Sequence, residues 1–232
     1  MKRDPNAPAD TTIMSVVHDA LRRDMTRLLD ALSADPPPDD VRRVALADHI
    51  DWMMVFLHEH HRGEDLGLWP LVRDHNSSAG VLLDRMDADH STIAPAITKV
   101  RAAANQYRDD AQSLPEVVSS LDALSTSLLP HLRREEDEAM PVVAASITKA
   151  EWERWDQKYN VRGKSMTRLA AEGHWLMDGL DPDRYQTLVH LVPAPVRVVL
   201  VKGYAGRYRR ACARRLGPEL AVGPLAKTRT PA

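Results

Sequence analysis

Residues 115–139 read PEVVSSLDALSTSLLPHLRREEDEA. Val117, Leu121, Leu124, Leu128 and Leu132 recur at steps of three and four, the period of one helix face; a strand would need alternation at two. His131 lies in line with Leu128, Leu124 and Leu121, which puts it on the buried stripe, and Glu135 follows one turn later on the same face. A buried imidazole or carboxylate without partners is costly, by several kcal/mol for an unpaired charge. Partners for His131 and Glu135 therefore have to come from other helices.

Residues 58–65, HEHHRGED, repeat the pair. His60 and Glu64 are four apart, with Cβ atoms roughly 6 Å apart on one helix face. Helical steps back from His60 reach Phe56, Trp52, Met53 and His49. At about 100° per residue, His58 lies about 200° from His60 and His61 about 100° from it. That assigns both to solvent or the rim, as bystanders. His49, three turns before His60, reads as a core residue or as support for a ligand.

Two more segments carry one inward histidine each. About 11–33 repeats through Met14, Val17, Leu21, Leu28 and Leu32 and holds His18; about 79–107 repeats through Leu82, Met86, Ile93, Ile97 and Val100 and holds His90. The second segment, about 39–66, completes four amphipathic helices. Asp35 to Pro38, Asp74 to Ser78 and Asp109 to Pro115 separate them, and Met140-Pro141 ends the last. No segment alternates like a strand. The fold class expected is all-α: an up-down-up-down four-helix bundle over 11–145, preceded by a flexible 1–10. Residues 146–232 read as an additional C-terminal helical extension, opened by a Thr148–Glu151 capping box, with a basic, partly disordered end.

Composition narrows the function classes. A single cysteine, Cys212, excludes an internal disulfide and any cysteine-based metal cluster, and points to a reducing, cytoplasmic setting. The first residues hold no apolar stretch that could act as a signal, and no run is long and apolar enough to span a bilayer. From Pro195 onward nine Lys or Arg face one acid, Glu219, so an acidic body carries a basic tail. The tail is short and has no nucleic-acid motif. Packing within the protein or an oligomer is the first expectation for it and contact with a membrane surface the second; no nucleic-acid partner is expected.

Four histidines and two glutamates converging from four helices satisfy one another if metal sits among them. Nitrogen and oxygen donors without thiolate suit iron, manganese or zinc. Two octahedral ions offer about twelve positions, of which four imidazoles and two bridging carboxylates fill about eight. The rest serve a shared oxo or hydroxo bridge and a small exogenous ligand. Near misses fall away: His-Glu-x-x-His from His58 would need histidine where Arg62 stands, and the Glu-x-x-His pairs of ferritin-type sites are missing.

The order His, His-x-x-x-Glu, His, His-x-x-x-Glu resembles the hemerythrin-like, or HHE cation-binding, family over about 11–141. It matches as His18; His60 and Glu64; His90; His131 and Glu135. The resemblance implies a four-helix bundle holding two iron ions, with Glu64 and Glu135 bridging and the four histidines as terminal ligands. Oxygen carriers of that family have a second histidine on the third helix, four residues from the first; Met86 and Ala94 stand at those spacings from His90. They also place aspartate five after the last histidine, where this chain has Glu136 following Glu135. The pattern is nearer the four-histidine, two-glutamate members.

The function implied is a stress-response type of non-haem di-iron protein that binds or reduces dioxygen, hydrogen peroxide or nitric oxide, served by a redox partner the sequence does not name. The alternatives are a di-iron sensor or an iron-handling or iron–sulfur repair protein without turnover of its own, and a helical interaction module. No catalytic residue is expected beyond the ligands. Glu136 and Asp137 read as solvated, and His174 and His190 as structural.

Overall fold

The computed structural model describes residues 4–191 and 203–217. Among them every regular element is a helix. The bundle is formed by α1 (Thr12–Leu32), α2 (Asp40–Gly63) with its continuation α3 (Trp69–His75), α4 (Gly80–Asp109), and α5 (Leu114–Arg134) with its continuation α6 (Met140–Ser146). The up-down-up-down bundle is as expected. Asp39 caps α2 by accepting from the Arg42 amide, which answers one of the orphan donors of the first turn. Among the described residues no helix is long and apolar enough to cross a membrane.

Two boundaries differ from expectation. The second helix does not end near 66, nor the fourth at Met140-Pro141. Each passes instead through one π-helical turn, Glu64–Leu68 and Glu135–Ala139, and carries on. The cause is a proline placed alike in both: Pro70 is six residues after Glu64, and Pro141 six after Glu135. Proline has no N–H and its ring crowds the carbonyl four residues back, so the α ladder cannot run through unchanged. Widening one turn accommodates it: the Trp69 amide donates to Glu64 O and the Met140 amide to Glu135 O, each five residues back. Leu66 O, the carbonyl that Pro70 cannot serve, accepts from the Tyr159 hydroxyl at 2.9 Å.

The chain after the bundle is helical too: α7 (Lys149–Asp156), α8 (Met166–Met177), α9 (Pro182–Leu191) and α10 (Tyr204–Leu216). The Thr148–Glu151 capping box that opens α7 forms as read from sequence. These helices are no loose appendage. Trp175 of α8 is fully buried in the same apolar cluster as Leu21, Phe56 and Leu128. Its indole donates to Asp24 Oδ2 at 2.8 Å, beside the neutral His49 ring, which donates to the same oxygen at 2.6 Å. Residues 4–10 are not free either: the Lys149 amide donates to Ala7 O and the Ala9 amide to Ile147 O, which ties the expected flexible lead to the start of α7. The side chain of His190 and the basic residues Lys227 and Arg229 lie outside the described residues.

Two apolar clusters fill the bundle. One contains Leu21, Leu57, Ile93 and Leu128, the other Met14, Leu68, Met86 and Ala139. On each bundle helix the inward histidine falls between a member of the first cluster and a member of the second. The core is thus interrupted by one polar layer.

Candidate metal centre

The polar layer is where the sequence placed its candidates. His18 on α1, His60 and Glu64 at the end of α2, His90 on α4, and His131 and Glu135 at the end of α5 are all buried, with His18, Glu64 and Glu135 0% exposed. The structure brings these six together. It adds a seventh group that sequence reading assigned to the rim: His61 is only 4% exposed. Its ring lies parallel to His90, centroids 4.1 Å apart, and edge-on to His131 at 5.1 Å. The reason is that α2 buries two faces. Back from His61 run Leu57, Met54 and Ile50, each 0% exposed and more deeply buried than Phe56 and Trp52 behind His60. That second stripe was visible in the sequence. His58 is exposed, as expected.

The layer divides into two groups. One nitrogen each of His61, His90 and His131 fall within 4.8 Å of one another, and so do donor atoms of His18, His60 and Glu135. Each glutamate reaches into both groups. Glu64 Oε1 is 3.2 Å from His60 Nε2 while its Oε2 is 3.6 Å from His90 Nε2. Glu135 Oε2 is 3.3 Å from His18 Nε2 and 3.5 Å from His131 Nε2. The π turns start at these two residues, so the widened turn sets the direction in which each carboxylate leaves its helix.

The outer nitrogens are held from behind. His18 Nδ1 donates to Glu136 Oε1 at 2.9 Å, and Arg22 grips the same carboxylate with two bonds of 2.9 Å. His90 Nδ1 donates to Asp65 at 2.5 Å and His131 Nδ1 to Asp89 at 3.3 Å, the latter also paired with Arg134. A carboxylate behind an imidazole holds its Nδ1 proton, and in the neutral ring this leaves Nε2 with a lone pair toward the layer. Glu136 is therefore a working group, where the sequence suggested a solvated one. Its signal was position: it follows Glu135, as Asp65 follows Glu64. His49 takes no part; it serves Asp24.

Charge in the layer is finely set. Burial lowers the basicity of His18, yet Glu135 on one nitrogen and Glu136 on the other outweigh it and push its pKa up to about 9. Burial prevails at His60 and His131, pushed down to about 3 and about 4, and holds His61 well below the usual imidazole range. Burial also raises Glu64 well above the carboxylate range, helped by the charge of Glu135. At Glu135 burial acts the same way, but His18 prevails and brings it down to about 2. Protein groups alone thus support one ion pair, His18 with Glu135, and keep Glu64 neutral.

Many donor atoms in this layer remain without an aligned hydrogen bond, despite the ion-pair distances above: Nε2 of His18 and His60, both nitrogens of His61, and all four oxygens of Glu64 and Glu135. Orphaned buried polar atoms of this kind are rare and costly. Imidazole nitrogen and carboxylate oxygen, converging and unpaired, fit a cation, which would favour the ionised form of Glu64.

Residues 9–143, more than half of the chain, match the family described as Hemerythrin HHE cation binding domain. The chain belongs to that family. No curated protein and no solved structure matched the chain significantly. As a hemerythrin HHE protein it is a cation-binding helical bundle, and its match ends at residue 143, within α6. The α7–α10 region lies beyond the family's span. Its rings nevertheless touch the centre's outer wall: Trp175 meets Phe56 at 4.8 Å between centroids, and Phe56 stacks on His60 at 6.4 Å.

Proposed function

We propose that the chain holds two iron ions and that its centre binds or reduces a small oxidant: dioxygen, hydrogen peroxide or nitric oxide. The observation that carries this reading is that each buried glutamate faces an imidazole of both groups, the placement two bridging carboxylates require. Manganese or zinc would suit the same donors, but buried imidazole and carboxylate together are a common setting for iron. Bound there, the ions would supply the redox chemistry on the oxidant.

The chain's own share is positional. His61, His90 and His131 offer three nitrogens to one ion; His18 and His60 offer two to the other. The fewer protein donors on the second side leave it the more open for a small ligand. Glu136, Asp65 and Asp89 hold the Nδ1 protons of His18, His90 and His131, which leaves Nε2 as the atom each would present to a cation, His18 releasing its second proton on binding. Met14, Leu68, Met86 and Leu128, on either side of the layer, exclude water and favour an apolar, gas-sized ligand over larger substrates.

Metal analysis tests the reading directly. About two irons per chain are expected in protein purified after expression in iron-replete medium, and few in a Glu64→Ala, Glu135→Ala double variant. Unchanged iron content in that variant would refute the ligand assignment. Peroxide and nitric oxide turnover, present in the wild type and lost in the variant, separates reduction from sensing.

A further inference from the structure

A second cavity lies away from the metal layer, between α2, α8 and α10. Its volume is about 810 Å³, inside the range of about 300–1,000 Å³ typical of small-molecule sites. Its walls are aromatic: Trp52, Trp175, Tyr204 and Tyr208 line it. Arg207, Arg214 and Arg215 line it as well.

The charge on this wall is unbalanced. Each acid nearby has its own partner: Asp40 pairs with Arg43, Asp48 with Arg108, Asp24 with Arg23, and Asp178 with Arg27. Among the described residues no carboxylate lies within 4.0 Å of Arg207, Arg214 or Arg215. Arg215 is the telling one. It is 7% exposed, and among the described residues its Nε has no hydrogen-bond partner and one terminal nitrogen bonds only the weak acceptor Cys212 Sγ. Asp24 acts on Arg215 only at a distance, and a buried guanidinium with no carboxylate in contact is costly. It also lies over the Tyr208 ring, 5.7 Å from the centroid. A planar fork matched to phosphate, beside stacked aromatic rings, selects for a ligand with both features.

We propose that this cavity binds a phosphate-bearing planar heteroaromatic molecule of nucleotide size, with the ring against the half-buried Trp52, Tyr204 and Tyr208 and the phosphate on Arg215, Arg214 and Arg207. A flavin nucleotide and an adenine nucleotide share that chemistry. Trp52 is two ring contacts from His60, through Phe56, so the bound ring would sit close to the metal layer. The site itself does not depend on which metal the layer holds.

Full-length protein is titrated with flavin mononucleotide, adenosine monophosphate, riboflavin and inorganic phosphate, followed by calorimetry and by quenching of tryptophan emission. One of the two phosphorylated ring compounds is expected to saturate one site per chain at micromolar concentration, with riboflavin and phosphate at least about tenfold weaker, since each lacks one of the two contacts. The exposed pair Arg207→Glu, Arg214→Glu should weaken binding at least about tenfold by opposing the phosphate. Ala171→Trp, which fills the cavity from α8, should abolish it while circular dichroism and Tm stay close to wild type. No saturable binding by either phosphorylated compound overturns the proposal. So does binding that both variants leave intact, or phosphate binding as tightly as the ring compounds.

Discussion

His61 shows how much one side chain can hold that its spacing conceals. Reading α2 as a helix with one buried face selects His60 and discards its neighbour, because about 100° separates them. The face behind His61 is aliphatic as far as Leu46, and a helix wedged between α1 and α4 buries both. Replacing His61 with alanine should bring iron content from about two per chain toward one. The metal-free variant should melt no lower than metal-free wild type, since the imbalance removed is a buried imidazole lacking hydrogen bonds. Metal analysis and thermal melts read both; two tightly held irons in the variant would rule His61 out as a ligand. Glu136→Ala acts one step further back, by releasing His18 Nδ1 and the Arg22 fork. A loss of about 10- to 100-fold in metal affinity is expected, measured by chelator competition. The six candidate ligands first read from sequence were legible because each falls on a helix stripe. The carboxylates behind them were not, because Asp65, Asp89 and Glu136 are acids among many acids, and their partners are distant in the chain.

The continuation of α2 and α5 past their prolines follows from local chemistry that a boundary rule misreads. Proline after a helical run usually announces an end. Here the buried carboxylate and the apolar residues beyond, Leu68 and Trp69 in one copy and Ala139 and Met140 in the other, reward continuation, and a π turn absorbs the misfit. The spacing Glu-x5-Pro in both copies is the signal for it, visible only on comparing the two. In the first copy the turn is closely packed: a Cβ on Gly67 would lie 2.8 Å from Trp155 Cδ1 and would also meet the Tyr159 ring. Gly67→Ala should therefore lower stability by about 1–3 kcal/mol, the usual cost of overpacking, and a thermal melt measures it. Gly80→Ala, where an added Cβ meets nothing within 4 Å, is the control and should be neutral or better.

At the scale of the molecule, α8 and α10 close the side of the bundle that α1 and α2 leave open. Asp24 anchors that closure, with His49, Trp175 and Arg23 around one buried carboxylate. Burial raises its pKa, but the His49 hydrogen bond and the neighbouring arginines prevail and leave it far below the carboxylate range. A group whose folded pKa is depressed contributes stability above its unfolded value, and loses it as pH falls from there toward the folded value. Asp24→Asn should cost about 3 kcal/mol at neutral pH. The gap between variant and wild type should narrow below pH of about 4, where the unfolded aspartate begins to bind its proton. Urea melts at several pH values check this; a gap independent of pH down to about 2 would mean that Asp24 acts by shape alone. Sequence composition marked this region as basic and helical but gave no sign that Trp175 completes the core, since one tryptophan on a short helix has no periodic partner to reveal its facing.

The two π turns are alike in sequence position but unlike in support. Trp155 Nε1 donates to Gly63 O and Tyr159 to Leu66 O, so α7 and the turn that follows it clasp the first turn, one bond just before it and one within it. Among the described residues, no side chain donates to a carbonyl of the second turn. The centre therefore has a stiff rim and a compliant one. Backbone amides from Glu136 to Met140 should exchange with deuterium faster than those from Asp65 to Trp69, and Tyr159→Phe should bring the two rates together. If the centre breathes to admit its ligand, the opening is on the side of α5.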